Sequence, residues 1–524
     1  MSRKQVCVSL IALSVVLVVL TRFLTPDSAV SLAGARVTEP VASTHVVCPE
    51  AKVRPGKDLT IVTGVVAPIQ PPTKGPTNSA SPTNSLSSGA SASASPEPST
   101  AASTDPVKPG RAVLVAQPPN KSNSGASSSI GLVGGSAELG ATRGTLSPIL
   151  GTASGSFAPG FAVTQWTYHT AGSTRGLAAL ACTSPTTDQW FVGGGSGVGR
   201  TTTITLVNDE DGAAQVVVEV YGPRGRVIAP AGEGVLLAPH GRTALRLTAL
   251  APGLRTAAVH IRTTSGRVVA AVLDQESRGV NSKGLEWIPG TLPSRHVVIP
   301  GGDGSATNKI LSVVATGSTD ANVKINVITS DGRFVPAGHE TLDAAVGHVV
   351  SADLTAATAG QVFGIELTSD QPIVAGLRAY ASTRTASTDT EISTGIPPLV
   401  DAGVSVGLTT DPTYRHSLLV TAPGAKASLK IQVIAADGSS SRSQIVAIPA
   451  GTTAVIALRR PTIVGRFSVL VTPLAGGGPV YAASYTYAAL GLGPIVTVVP
   501  LMSLRTVVTV PDARPDLGVA FVTD

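Results

Sequence analysis

The chain repeats itself at long range. The turn Arg224-Gly225 recurs as Asp331-Gly332 and again as Asp437-Gly438, so the glycines stand 107 and then 106 residues apart. Flanking segments keep this spacing. FVGGGSG (191–197) is echoed by VIPGGDG (298–304), and PHGRTALRL (239–247) by AVGHVVSADL (345–354) and PAGTTAVIAL (449–458). RVVAAVL (267–273) is echoed by PIVAGLR (372–378) and PVYAASY (479–485). Several offsets in agreement mark a structural repeat, and this period is too long for a propeller blade of about 40–50 residues.

Inside each repeat the apolar period is two. VVVEVYG (216–222), VKINVIT (323–329) and LKIQVIA (429–435) alternate Val and Ile with other residues, and each runs into a turn with glycine. That is the pattern of a half-buried strand entering a hairpin. Short strands at this density predict an all-β fold of three tandem Ig-like β-sandwiches, over 186–289, 290–396 and 397–510. A β-rich N-terminal cap is expected from 36–66 and 111–185, and a tail from 511–524. Between the two parts of the cap, residues 67–110 are a Pro/Ser/Thr-rich run with few aliphatics. Such a run buries too little apolar surface to offset its chain entropy, which predicts a disordered loop. A second polar stretch follows at 120–129. Only 13% of the 524 residues are charged and no heptad pattern appears, which excludes a coiled coil.

The amino terminus reads as an export signal. Arg3 and Lys4 precede an uncharged run from Val6 to Leu20, extendable to Leu24. Basic residues before an apolar core stay on the cytoplasmic side and send the following chain outward. Residues 1–25 are therefore expected to be one helix, a membrane anchor through residues 6–24, with cleavage near Ala33-Gly34-Ala35 as the alternative. Cys7 lies in this run, which leaves Cys48 and Cys182 as the extracytoplasmic pair. Disulfides persist in that compartment, so a Cys48–Cys182 bridge is expected, with two buried thiols as the alternative.

The VVCPE segment (46–50), RGLAALACTSPTTDQWFVGG (175–194) and the Val/Thr-rich repeats together resemble an uncharacterised family of exported actinobacterial proteins, catalogued only as a domain of unknown function. The resemblance covers most of the chain beyond residue 40. It implies an exported β-sandwich protein with a Cys48–Cys182 pair, and it implies no activity.

Chemistry is sparse. Gly194 to Thr201 matches a phosphate loop except that Arg200 replaces Lys, but the following TTTITLVN reads as a strand, where a phosphate loop needs a helix. Asn208 to Gly212 resembles half a calcium loop, yet Val207 and Val218 hold positions that need carboxylates. The eight histidines stand at no metal spacing, and no G-x-S-x-G elbow is present. Asp274 with Glu276, and Glu286 and Asp303 near loops, are acids that nothing in the sequence singles out. Trp166, Trp190 and Trp287 are the only tryptophans. They fit either packing between domains or an exposed platform for sugar rings. The net charge is +6 and dispersed, which disfavours nucleic acid.

The reading is an exported, membrane-anchored structural or interaction protein of the cell envelope. It is expected to be non-catalytic and without cofactor or metal. Its expected partner is an envelope protein or polymer. The alternative is an envelope glycan-binding module whose contacts are Trp166, Trp190 and Trp287.

Overall fold

A computed structural model of the chain describes residues 37–69, 109–117, 125–358, 360–381 and 387–510. The expected helix at 1–25, most of the low-complexity run (70–108) and the tail 511–524 lie outside these residues. Among the described residues no helix is long and apolar enough to cross a membrane.

The structure is all-β. The alternating segments form strands that bury one face: in Ala321–Thr329, Val323, Ile325 and Val327 are buried, while Asn322 and Lys324 are exposed. The repeated turn glycines have positive φ, +99° at Gly225, +132° at Gly332 and +85° at Gly438. Any other residue would be strained there.

The C-terminal repeat displays the plan most simply. Its eight strands are Gly403–Thr409, Tyr414–Ala422, Ala427–Ile434, Gln444–Ile448, Thr452–Ala457, Arg466–Pro473, Tyr481–Leu490 and Gly493–Pro500. They pair antiparallel into two sheets, in the orders 1-6-3-4 and 5-2-7-8. Leu418, Val420, Leu429, Val469, Ala482 and Ile495 fill the core between them. Residues 188–288 follow the same orders, with Gly225–Val227 added beside the third strand. In residues 294–394 the sixth and seventh strands are fused into one 18-residue strand, Phe363–Tyr380, which pairs with members of both sheets.

Residues 43–181, expected to be a separate cap, obey the same plan. Ser43–Cys48, Ile149–Ser154, Arg111–Ala116 and Ser127–Ile130 make the 1-6-3-4 sheet. Ser136–Ala141, Asp58–Val66, Phe161–His169 and Gly176–Ala181 make the 5-2-7-8 sheet. The polar stretch at 120–129 thus supplies part of a strand. Ala67, at the edge of the low-complexity run, is buried. The long insertion between the second and third strands hides this fourth copy from the sequence period.

We call the four copies modules I to IV. In each, the first strand also bridges to a residue two or three positions beyond the eighth: Val47 to Thr183, Trp190 to Thr291, Val298 to Ile396, and Gly403 to Ser503. In module I the Cys48–Cys182 disulfide reinforces this closure, with Cα atoms 4.8 Å apart.

The modules form a closed ring. Ala178, Ala271, Leu285 and Trp287 join I to II. Trp190, Val192, Ala258, Val314 and Val374 join II to III. Val298, Ile396 and Tyr481 join III to IV. Val65, Ala67, Val406, Ile434 and Leu470 join IV back to I. Residues Val41–Thr506 make one unit. Val37–Pro40 and Val507–Val510, expected within the cap and the last sandwich, instead pair antiparallel with each other as a ribbon in a second unit.

Candidate functional site: the junction of the four modules

The four eighth strands are Gly176–Ala181, Asn281–Ile288, Thr390–Thr394 and Gly493–Pro500. Each packs against the eighth strands of the two neighbouring modules, so the four enclose a common axis. Close approach here needs small residues. A Cβ on Gly176 would lie 2.8 Å from both Asp389 Oδ1 and Leu285 Cβ. Gly284, at φ +137°, would place a Cβ 2.3 Å from the amide nitrogen of Thr390. Counted back from the bridging residues Thr183, Thr291 and Ile396, the positions of Gly176 and Gly284 correspond to Asp389. Two modules thus give up a side chain at the place where a third puts a carboxylate.

That carboxylate is bonded by all four modules. Asp389 Oδ2 accepts the amide of Leu177 at 2.9 Å and that of Val496 at 3.0 Å. Oδ1 accepts the amides of Leu285 at 3.0 Å and Thr390 at 2.9 Å. Burial of a lone carboxylate is costly, and bonds from N–H groups to an ionised oxygen are the strong kind that offset it. Burial pushes the Asp389 carboxyl up to about 7, with the four amides pulling it back down.

Two further buried acids stand on these strands, Glu286 and Glu391. Glu286 accepts the amides of Trp287 and Val498 at 3.0 and 3.2 Å and the Thr497 hydroxyl at 2.9 Å. Thr497 Oγ1 in turn accepts the Ala179 amide. Burial holds the Glu286 carboxyl well above its usual range, and the nearby Asp389 charge adds to this. Glu391, the equivalent of Glu286 in module III, accepts the amide of Asp303 at 3.0 Å and is pushed by burial to about 8. The cation is Arg175, which donates to the carbonyls of Gly493 and Pro494. Its own carbonyl accepts the Ser282 hydroxyl at 2.5 Å. Asp389, Glu286, Glu391 and Arg175 are all buried. The node can gain and lose protons, and it ties four strands together, but it presents no group to a substrate.

Beyond the ends of these strands, the connectors between modules line a groove of about 600 Å³. Leu292, Pro293, His296, Pro397, Tyr481 and Met502 are among its walls. Leu292 and Met502 are 62% and 45% exposed, and Pro293, His296 and Pro397 beside them are exposed as well.

The tryptophans are not a platform. Trp166, Trp190 and Trp287 are 1%, 5% and 2% exposed. Trp166 reaches from module I into module IV, where its indole N–H donates to Val406 O at 3.0 Å. Trp190 stacks on His260, with ring centroids 4.2 Å apart, at the II–III contact. Trp287 fills the I–II contact. Their apolar bulk is consumed by packing between modules, the first of the two roles the sequence offered, and none of the three is exposed for the alternative glycan contact.

The other sequence leads are also absorbed. Arg200, in the phosphate-loop look-alike, turns inward to Asp274 at 3.0 Å. Arg378 of module III pairs with Asp274 and, at 2.7 Å, with Glu276, so both acids are neutralised at the II–III contact. In the calcium-loop look-alike, Asp209 pairs with His45, Glu210 with Arg267 and Asp211 with His240. Among the described residues no group of three or more His, Cys, Asp or Glu could hold a metal ion. Asp389, Glu391 and Arg175 escaped sequence reasoning; the signal was an acid at a repeat position where two other copies hold glycine.

No curated protein matches the chain. A family model matches residues 135–459, from the start of the fifth strand of module I to just past the fifth strand of module IV. The chain therefore belongs to DUF5719, a family of unknown function.

Proposed function

We propose that the protein is an exported, non-catalytic interaction protein of the cell envelope, held at the membrane by its N-terminal apolar run. Its four modules are read as Ig-like sandwiches, three of them at the 106-residue period and the first enlarged by its insertion, acting as one rigid body. The observation that carries this reading is the apolar groove at the junction. Connectors following modules II, III and IV converge on it, and the buried node beneath fixes their relative positions. A preorganised surface loses less conformational freedom on binding. The exposed Leu292 and Met502, with the prolines around them, suit an apolar segment of an envelope protein.

Export is supported by the disulfide, a bond that persists in oxidising compartments. Asp274 and Glu276 are held by arginines, which favours a structural role for them. The glycan alternative no longer has the tryptophans it named.

The test places a photo-crosslinking residue at Leu292 of the full chain in its native cells. The reading predicts one discrete adduct with an envelope protein, abolished by Met502→Arg. Adducts that are absent, or insensitive to that change, contradict it.

A further inference from the structure

Modules II and III seal the end of their sandwich with a leucine. Leu247 and Leu354 directly follow the fifth strand and are fully buried. Each opens one helical turn, closed by Ala251 N–H to Leu247 O at 2.8 Å and by Thr358 N–H to Leu354 O at 3.1 Å. In module III, Lys309 clamps the turn by donating to Thr358 O at 3.0 Å.

Module IV begins the same way and then departs. The Leu458 amide donates to His416 O at 2.9 Å, as the Leu354 amide does to Lys309 O. Then comes Pro461. Its ring disfavours the helical conformation for the residue before it, Arg460, so the turn is blocked. Residues 458–465 contain no helical turn, and Leu458 is only half-buried. The seal stays open, and a slot of about 650 Å³ remains between the two sheets.

The slot has two chemistries. Ile431, Val433, Ala435, Ile456, Leu458 and Ile463 supply apolar walls. Arg442, Arg459 and Arg460 stand among serines at the rim, and no carboxylate lines it. Among the described residues none of the three arginines has an ion-pair partner; at longer range Arg460 adds its charge to the Thr413 hydrogen bonds that lower the Asp411 carboxyl and to the burial that lowers His416. A volume of this size is that of a small-molecule site, and unpaired guanidinium groups match phosphate by parallel N–H bonds.

We propose that this slot binds a single-chain lipid phosphate, with the acyl chain between the sheets and the phosphate on Arg442, Arg459 and Arg460. The proposal is independent of the groove at the module junction, which lies elsewhere and involves none of these residues.

The test titrates the purified full-length chain with monomeric oleoyl lysophosphatidic acid. Oleoyl lysophosphatidylcholine, inorganic phosphate and phosphatidylglycerol vesicles serve as comparison probes. The expected result is saturable one-to-one binding of the lysophosphatidic acid, with the choline lipid and inorganic phosphate at least about tenfold weaker, since charge-assisted bonds at this strength are worth that factor. Arg459→Gln with Arg460→Gln should weaken binding by a similar factor. Pro461→Ala, which lets the sealing turn form, should also reduce binding while the melting temperature holds or rises. Equal binding of the choline lipid would overturn the phosphate site, and equal binding of inorganic phosphate would overturn the apolar slot. Attachment to vesicles without uptake of the monomeric lipid, or unchanged affinity in Pro461→Ala, would also overturn the proposal.

Discussion

The amide of Leu177 donates to the Asp389 carboxylate across 2.9 Å, linking the last strand of module I to the head of the last strand of module III. The same carboxylate holds the amides of Leu285 and Val496, so diagonal and adjacent modules meet on one side chain. The ring is therefore held by a central bond set as well as by its four apolar contacts.

Removing that carboxylate should unsettle every module. Asp389→Ala leaves four buried amides without an acceptor, at about 1–3 kcal/mol for each unmade bond. We expect a loss of at least about 3 kcal/mol in denaturant unfolding, after allowing for relaxation. Asp389→Asn is expected to destabilise as well, because its NH₂ group turns a donor toward two of the amides. Gly284→Ala, with its Cβ 2.3 Å from the Thr390 nitrogen, should act in the same direction.

Stability should fall as pH rises. Burial raises the folded-state values of Asp389 and Glu391 to about 7 and about 8, and holds that of Glu286 well above the usual carboxylate range. A carboxyl raised by folding stabilises fully below its unfolded value, near 4, and loses that contribution as pH climbs through the folded value. Melting temperature is predicted to decline between pH 5 and pH 9, and Glu391→Gln should flatten the decline. Asp274 works in the opposite sense: its carboxyl is lowered by Arg200 and Arg378 against its burial, so its contribution is lost as pH falls below the usual Asp range.

Reducing the disulfide should loosen module I. The bridge spans 134 residues, and the chain-entropy account allows up to about 4–5 kcal/mol for so long a loop. Measured bridges commonly deliver less than this upper bound, so about 2–4 kcal/mol is expected. A melt of the full chain with and without reductant measures it, with Cys48→Ala/Cys182→Ala as the matching variant.

Tryptophan emission should report burial. All three indoles lie in module contacts. The native protein is predicted to emit at short wavelength and to resist quenching by iodide. Soluble envelope glycans should leave the spectrum unchanged. Trp166→Ala is expected to cost about 3–5 kcal/mol, the range for truncating a large buried aromatic.

Local rules carried part of the fold. Gly225, Gly332 and Gly438 announce their hairpins because only glycine takes that backbone conformation cheaply, and the two-residue period of 323–329 announces its strand. Counting cysteines led to the Cys48–Cys182 bridge. Module I stayed hidden because Val66 and Arg111, which bound its second and third strands, are separated by a long insertion. The node was invisible for a different reason. Leu177, Leu285, Thr390 and Val496 contribute backbone amides, which leave no mark in side-chain identity, and they meet only once the ring has closed. Packing between domains or an exposed platform were both open to the tryptophans from sequence, and which of the two held depended on contacts between modules.

The central claim is that four modules form one closed body through Asp389. Hydrogen–deuterium exchange of the full chain, wild type against Asp389→Ala, tests it most directly. The account predicts that the segments containing Leu177, Leu285 and Val496 lose protection together, in modules I, II and IV, along with Thr390 in module III. Loss confined to module III, with the other three segments unchanged, would contradict it.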